Sequence, residues 1–548
     1  MEPKQWSMRH FPMADWRLGL AWRDESDQPT QSSQWEYLPD DVLMHILAML
    51  PLKSAISAAE TCSKWYDLMQ YRFEPWETFV YRDYIYTRRR YTTHAGWQRA
   101  IDHWKLRLLI SNASRKWRHI VIKPVTLLSN LYEFMRVLTN FTEYYERNQD
   151  RPLAAIRTFE FDWQLILPGA WNEQQAERSK GRSSTSSSHE VELQTYGTGG
   201  QVLHKINELL SHLFGLRYLA LRQLQLDAKE AVNFMNDLVE VFSDRLQSLT
   251  VLNLTKIPTP FLHLGLFLHL HKLTVSPQHL SDDVIFLLAN CAHLRTILLL
   301  QNENTDGAEA CSAQAWEQLH KLAPDVKVHL RIRGWRCTSA LCLQPGAHVT
   351  SIIYDTPSHT LRKGVALALN IIDLYKHSLQ VFAQCGLQRR HTSKAYHDRV
   401  DLAVLMLARN CPNLRQLAIR ERLSCATVLA AAQLIANRIK SDHDQSTIEI
   451  DTENDNNGFH FNVRRNALLK RADHHLSEVD GWTRKYQSWL KHQARDIDRF
   501  ETAMRQILGQ RHWRAMSDDE YWHAYPRFVR RAKFWGSWGQ SWDNWHTT

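Results

Sequence analysis

The sequence predicts an α/β chain in three parts: a small three-helix module near the front, a long irregular alternation of strand and helix, and a helical, tryptophan-rich final segment. Three observations carry this. Trp35–Met69 holds three helical patterns in about as few residues as three helices can occupy. From Trp117 to Ile419 a short apolar signature of strand type keeps returning, with helix-like stretches between copies. Beyond Ile439 that signature fades, and charged sequence of helical pattern follows.

The 548 residues allow three or four domain-sized units, or one long repeat domain with appendages. With 44% hydrophobic and 23% charged residues the composition is that of a globular protein, which excludes disorder throughout. No run approaches the roughly 20 apolar residues of a membrane helix, and Phe261–Leu270 is interrupted by His263 and His269. The opening MEPKQWSMRH lacks the apolar centre of a secretory signal. Eight cysteines without CxxC spacing point to reduced thiols in the cytoplasm or nucleus. The formal charge of +9 permits an acidic partner without by itself indicating nucleic acid.

Residues 1–34 read as a flexible segment: Trp6, Trp16 and Trp22 follow no period, and a polar run closes it. These tryptophans either bind a partner or rest on the body of the protein. The module follows over 35–80. Leu38-Pro39-Asp40-Asp41 is a helix start, because proline suits the first turn and the aspartates favour the positive end of the dipole. Pro51 stops this helix, and Ser54 can cap a second. A third passes through Cys62, Trp65 and Leu68. The first helix carries two adjoining stripes, 43/47/50 and 42/46/49, too wide a face for one neighbour. A unit this small lies below the size of a self-sufficient core, so something else must cover part of that face.

This stretch resembles an F-box, the adaptor-binding module of SCF-type cullin–RING ubiquitin ligases. The matching residues are Leu38-Pro39-Asp40-Asp41, Leu43, Ile46, Leu47, Leu50-Pro51-Leu52-Lys53, Cys62, Lys64 and Trp65, with Trp76 after the third helix. The resemblance implies docking to the Skp adaptor, and through it to a cullin–RING ligase. Leu38, Pro39, Val42, Leu43, Ile46, Leu50, Leu52, Trp65 and Trp76 form the implied adaptor-binding set. Ala55 and Thr61 stand where larger apolar residues are common, which weakens the implied affinity. The alternative is a helical hairpin belonging to the next domain.

Residues 81–116 are expected to form an amphipathic helical connector, although Arg88-Arg89-Arg90 among aromatics could also form a single-stranded nucleic-acid surface. Over 117–440 an L-x-x-L-x-L-like signature recurs: Trp117/Ile120/Ile122, Ile156/Phe159/Phe161, Leu216/Leu219/Leu221, Leu249/Leu252/Leu254, Leu270/Leu273/Val275, Leu294/Ile297/Leu299, Val349/Ile352/Tyr354, Leu379/Phe382 and Leu414/Leu417/Ile419. Val326/Val328/Leu330/Ile332 is a looser copy. Intervals of about 20–35 residues and helical return limbs fit a leucine-rich-repeat-like solenoid. Asn290-Cys291-Ala292-His293-Leu294 and Asn410-Cys411-Pro412-Asn413-Leu414 repeat one junction. Irregular spacing and few turn asparagines make the solenoid degenerate, and an irregular α/β domain is the alternative. The Ser-, Thr- and Gly-rich stretch 177–200 is a flexible insertion.

The remainder, 441–548, is expected to be helical and Trp-rich after an acidic loop. Trp535, Trp538, Trp542 and Trp545 share one helical stripe, weakened by Gly536 and Gly539. Four exposed indoles make a patch that soluble monomers rarely show. They either pack back as a lid on the end of the solenoid or are captured by a partner.

No P-loop, dinucleotide fingerprint, H-E-x-x-H or nucleophile elbow is present, nor any paired-cysteine zinc spacing. His474-His475 beside Asp473 reads as solvated helix. The chain is therefore expected to be no enzyme, with no cofactor, metal site or membrane partner. In a solenoid the signature leucines point inward, and alternate residues face the concavity. That face would display Arg222, Arg331, Arg333 and Arg420, with Glu160, Asp162 and Asp355 along it. Such arginines suit an acidic or phosphorylated protein target, or are simply solvated or paired locally. The combined expectation is the substrate receptor of an SCF ubiquitin ligase. Its alternatives are an adaptor-bound scaffold and, less favoured, a nucleic-acid-binding protein using Arg88–Arg90 and Arg527–Lys533.

Overall fold

The computed structural model describes residues 38–50, 58, 61, 64, 65, 68, 77–81, 87–93, 96–123, 125, 128–162, 201–305, 307–334, 340–356, 364–387, 394–444, 459–472 and 483–524. The segment 1–34, Leu52, Cys62, Trp76, the insertion 177–200, His474-His475, Arg527–Lys533 and the four C-terminal tryptophans lie outside the described residues. The chain divides into two compact units, Met1–Glu77 and Thr78–Thr548.

In the first unit, helix α1 (Asp40–Met49) starts where the sequence places it. Pro39 precedes it, and the Leu43 N–H donates to the Pro39 carbonyl at 3.1 Å, closing the first turn. The Lys64 ammonium donates to the Leu38 carbonyl at 2.8 Å and lies 3.5 Å from the Asp40 carboxylate. A residue of the third helical pattern thus clasps the start of the first.

The second unit begins with β1 (Thr78–Tyr81), then β2 (Thr87–Thr93), β3 (Gly96–Ile101), α2 (His103–Ala113), β4 (His119–Ile122), α3 (Leu128–Glu146) and β5 (Thr158–Asp162). It continues through α4 (Gln201–Ser211), β6 (Tyr218–Arg222), α5 (Ala228–Phe242), β7 (Ser248–Leu252), β8 (Lys272–Val275), α6 (Asp282–Leu288), β9 (Thr296–Gln301), α7 (Ala313–Leu322) and β10 (Lys327–Arg333). Next come β11 (Val349–Asp355), α8 (Gly364–Tyr375), β12 (Val381–Gln384), α9 (Asp401–Asn410), β13 (Gln416–Ile419), β14 (Leu423–Ser424) and α10 (Cys425–Asp444). The chain then forms β15 (His460–Val463), β16 (Leu468–Leu469), α11 (Arg484–Gln493), α12 (Ile497–Leu508) and α13 (Asp518–His523).

Twelve strands form one sheet in the order β1-β4-β5-β6-β7-β8-β9-β10-β11-β12-β13-β15, and every pairing in it is parallel. Apart from the hairpin and the short strand set aside, sheet order is sequence order. Parallel neighbours need a crossover, which the intervening helices and loops supply. Successive helices pack on one another (α3 on α4, α4 on α5, α6 on α7, α8 on α9, α9 on α10), so they form one layer. Between β7 and β8 the 3-10 turn Leu262–Leu266 replaces a helix and packs against α5 and α6.

The return into six of the strands repeats one hydrogen bond, an N–H donating to the carbonyl three residues earlier. It joins Ile156 to Leu153, Leu216 to Leu213, Leu270 to Phe267, Leu294 to Cys291, Val326 to Ala323 and Leu414 to Cys411. The two N-C-x-x-L junctions are therefore alike in bonding as well as in sequence. Both thiols are buried, and burial pushes each up to about 11.

Three expectations are corrected. Leu249 and Val251 pair in register with Leu219 and Leu221, so the β7 copy reads Leu246/Leu249/Val251 and not Leu249/Leu252/Leu254. A slip of three residues is odd, and it moves Leu252 to the opposite face beside Arg222. The helical connector contains instead an antiparallel hairpin, β2–β3, followed by α2. TRRRYTT is rich in β-branched and aromatic residues, which favour strand over helix. Finally, β15 is a further parallel strand inside a stretch expected to be helical: Phe461 and Val463 continue the alternation of Leu417 and Ile419.

Candidate binding surfaces

The first surface is α1. Leu43 and Leu47, four residues apart, are buried. On the adjoining stripe Val42 is 44% and Met49 67% exposed, with Ile46 half-buried between them. Pro39 and Leu50 are exposed, whereas Leu38 and Trp65 are half-buried. The wide apolar face thus splits into an inner and an outer stripe. Leu43, assigned to the adaptor set, belongs to the inner one and supports the outer from beneath.

The second surface is the face of the twelve-stranded sheet turned away from the helix layer. Register places Asp162, Arg222 and Leu252 in one row, continued by Leu300, Arg331, Ile353, Ala383 and Ala418. The expected arginines do face this side, but each is engaged within the chain. Arg222 donates to the Glu160 carboxylate at 3.1 Å, and both are buried. Arg331 donates to Asp355 at 2.6 Å, and Arg333 lies 3.7 Å from the same carboxylate. Arg420, fully buried, donates to the carbonyls of Cys385 at 2.7 Å and Thr356 at 2.6 Å.

Three arginines therefore sit among three carboxylates, and the face is not the cationic surface that a phosphorylated target would select. Asp162 differs from Glu160 and Asp355, because its buried Oδ1 has no hydrogen-bond partner. Burial raises its pKa; Arg222 and Arg333 pull the other way, and Glu160 adds to the rise. Lys272 is pushed down to about 8, chiefly by burial and then by Arg331. Burial, with Lys272 and Lys327 behind it, keeps His329 neutral.

Sequence reasoning missed the cover on this face. Met516 returns to the sheet edge: its N–H donates to the Val463 carbonyl at 2.9 Å, and its carbonyl accepts from Arg465 at 2.7 Å. Ser517 then caps α13, with Glu520 completing the reciprocal box. Arg464 donates to Asp518 at 2.8 Å and to the Arg420 carbonyl at 3.1 Å, fixing the start of α13 over the strand ends. Tyr521, fully buried, donates its hydroxyl to the Gln384 carbonyl at 2.6 Å. With Ala524 it joins Leu252, Leu298, Leu300, Ile353, Val381, Ala383, Cys385 and Ala418 in one buried apolar cluster. The S-x-x-E spacing of Ser517 and Glu520 was the signal that could have located this helix.

No group of three or more metal-ligating side chains is gathered among the described residues, and no helix among them is long and apolar enough to cross a membrane. Compared with known families, residues 35–86 match the F-box-like family, so the chain carries an F-box-like domain. No curated protein matches the chain.

Proposed function

We propose that this protein is the substrate-recognition subunit of an SCF ubiquitin ligase, with no catalytic step of its own, working in the cytoplasm or nucleus. The F-box-like domain docks the Skp adaptor, and the sheet domain holds a target protein so that partner enzymes transfer ubiquitin to it by proximity. The observation that carries this reading is the split face of α1. One stripe is buried, and the other leaves Val42, Met49 and Leu50 in solvent within a segment matching the F-box-like family. Exposed apolar surface of this kind is explained by a partner.

The sheet domain reads as a degenerate leucine-rich-repeat-like solenoid. The turn that recurs before six of the strands and the sequential parallel order support that.

The test is capture of the adaptor and cullin by the full-length chain and by Ile46→Asp. An unpaired charge on the outer stripe costs several kcal/mol in the complex, so capture should fall to background while the fold is retained. Undiminished capture by a folded Ile46→Asp protein would reject the adaptor role. Among captured partners, a target stabilised by deleting residues 38–69 supports the receptor reading, whereas unchanged turnover of every partner favours a scaffold.

A further inference from the structure

A cavity of about 310 Å³ lies at the edge of the sheet where the strands begin, with His320, Ala347, His348, Asp373, Lys376 and His377 in its lining. His320 belongs to the end of α7 and His348 to the turn into β11, while His377 follows α8. The His320 and His348 rings meet edge to face, their centroids 5.0 Å apart. The same edge carries three more histidines. His293, before β9, stacks on His271 at 5.4 Å and on His269 at 5.7 Å, both of which precede β8. All six are exposed except His348, which is half-buried. Elsewhere His103, His204, His212 and His523 each lie within 3.7 Å of a carboxylate of the chain. Among the described residues, none of the six on this edge has such a partner.

We infer that this edge, from β8 to β12, is a docking site for a carboxylate-rich peptide segment, one carboxylate of which enters the cavity between His320, His348 and His377. The buried Nδ1 of His348 has no hydrogen-bond partner, so a proton taken up there finds no acceptor within the chain. Burial, then His320 and Lys327, holds this ring below its usual 6.5. A bound carboxylate supplies the missing counter-charge and favours the protonated ring. Permanent charge on the edge is small. In the turns 268–271, 289–295, 320–327, 345–348 and 373–378, Arg295, Lys321, Lys327 and Lys376 stand against Asp325 and Asp373, a net of +2. Of these, Arg295 is already paired with Asp325 at 2.7 Å. A nucleic-acid backbone is held chiefly by lysine and arginine, so this surface suits a peptide instead. Nor is a metal favoured, since no group of three ligating side chains is gathered among the described residues. Four strand spacings separate β8 from β12, about 19 Å, which about six extended residues cover.

The site stands on its own geometry; that the peptide belongs to a ubiquitination target rests on the ligase reading. The test follows fluorescein-labelled decaglutamate by anisotropy with the full-length chain at constant ionic strength, beside decaglutamine and a ten-nucleotide uridine RNA. Decaglutamate should bind at least tenfold more tightly at pH 6.0 than at pH 7.5. Calorimetry of the parent protein at pH 6.5, in buffers of different ionisation enthalpy, should show net proton uptake on binding. Replacing His320, His348 and His377 together by Gln should weaken binding at pH 6.0 at least threefold, as should the same change at His269, His271 and His293. His204→Gln should bind like the parent. No binding of decaglutamate at pH 6.0, equal binding of decaglutamine, tighter binding of the RNA, or binding without proton uptake would overturn the inference. So would parent-like binding by both triple variants. Ile46→Asp should bind decaglutamate as the parent does, so failure of adaptor docking and failure of this site are told apart.

Discussion

Replacing Tyr521 tests whether α13 is held on the sheet by the contacts described. The hydroxyl donates at 2.6 Å to the Gln384 carbonyl, and the ring is fully buried among side chains from β9, β11, β12 and β13. Tyr521→Phe removes one buried hydrogen bond and leaves a carbonyl lone pair without its donor, a loss of about 1–1.5 kcal/mol. Tyr521→Ala also empties a ring-sized space, for about 3–5 kcal/mol in all. A helix of six residues is not stable by itself, so the loss should appear as local opening of α13 and not as global unfolding. Since 1.4 kcal/mol is a factor of ten, amide exchange over residues 518–523 should quicken about tenfold in Tyr521→Phe. In Tyr521→Ala it should quicken at least a hundredfold, up to the limit set by free α13. Amides of β4–β6 serve as the internal control and should not change. If Tyr521→Ala leaves exchange in 518–523 as in the parent, α13 is not seated by this residue and the contacts described do not hold it on the sheet.

Other outcomes follow from the same structure. Asp401 accepts from Arg399 at 2.7 Å, from the Ser424 N–H at 2.9 Å and from the Thr427 hydroxyl at 2.6 Å, and both ion-pair side chains are fully buried. Asp401→Ala should lower stability by about 3–5 kcal/mol in denaturant titration, and a loss under 1 kcal/mol would contradict the burial. Burial pushes His279 down to about 4 from 6.5; its Nε2 accepts the Leu254 N–H at 2.9 Å. The unfolded chain therefore binds the proton first, and stability should decline as pH falls from 6.5 towards 4. His279→Gln should flatten that decline in thermal melts across the window, even if its melting point at pH 7 is lower. With Cys291 and Cys411 raised to about 11, thiolate at pH 8 is scarce, so iodoacetamide should modify them far more slowly than an unfolded control.

What the sequence determined by itself is what depends on short range. Pro39 before two aspartates marks the start of α1, and the apolar positions 42 to 50 mark a helix with two stripes, whatever the rest of the chain does. The recurring apolar triplets located nearly every strand of the sheet, because a strand buried on both faces reads as a dense apolar run. Only the tertiary structure settled which apolar residue of a run faces which side. At β7 both Leu249 and Leu252 satisfy the pattern, and pairing with β6 chose Leu249 for the core. The hairpin β2–β3 and strand β15 depend on partners distant in sequence, which no local period records.

The candidate site divides in the same way. Alternation put Arg222, Arg331, Arg333 and Arg420 on one face. Their acidic partners and carbonyl acceptors lie 24 to 64 residues away in sequence for Arg222, Arg331 and Arg420, and only folding brings them into reach. The seat of Tyr521 on Gln384, 137 residues earlier, is longer-range still. A helix of six residues has too little amphipathic pattern to announce its berth, and the surface that receives it exists only once the strands stand side by side.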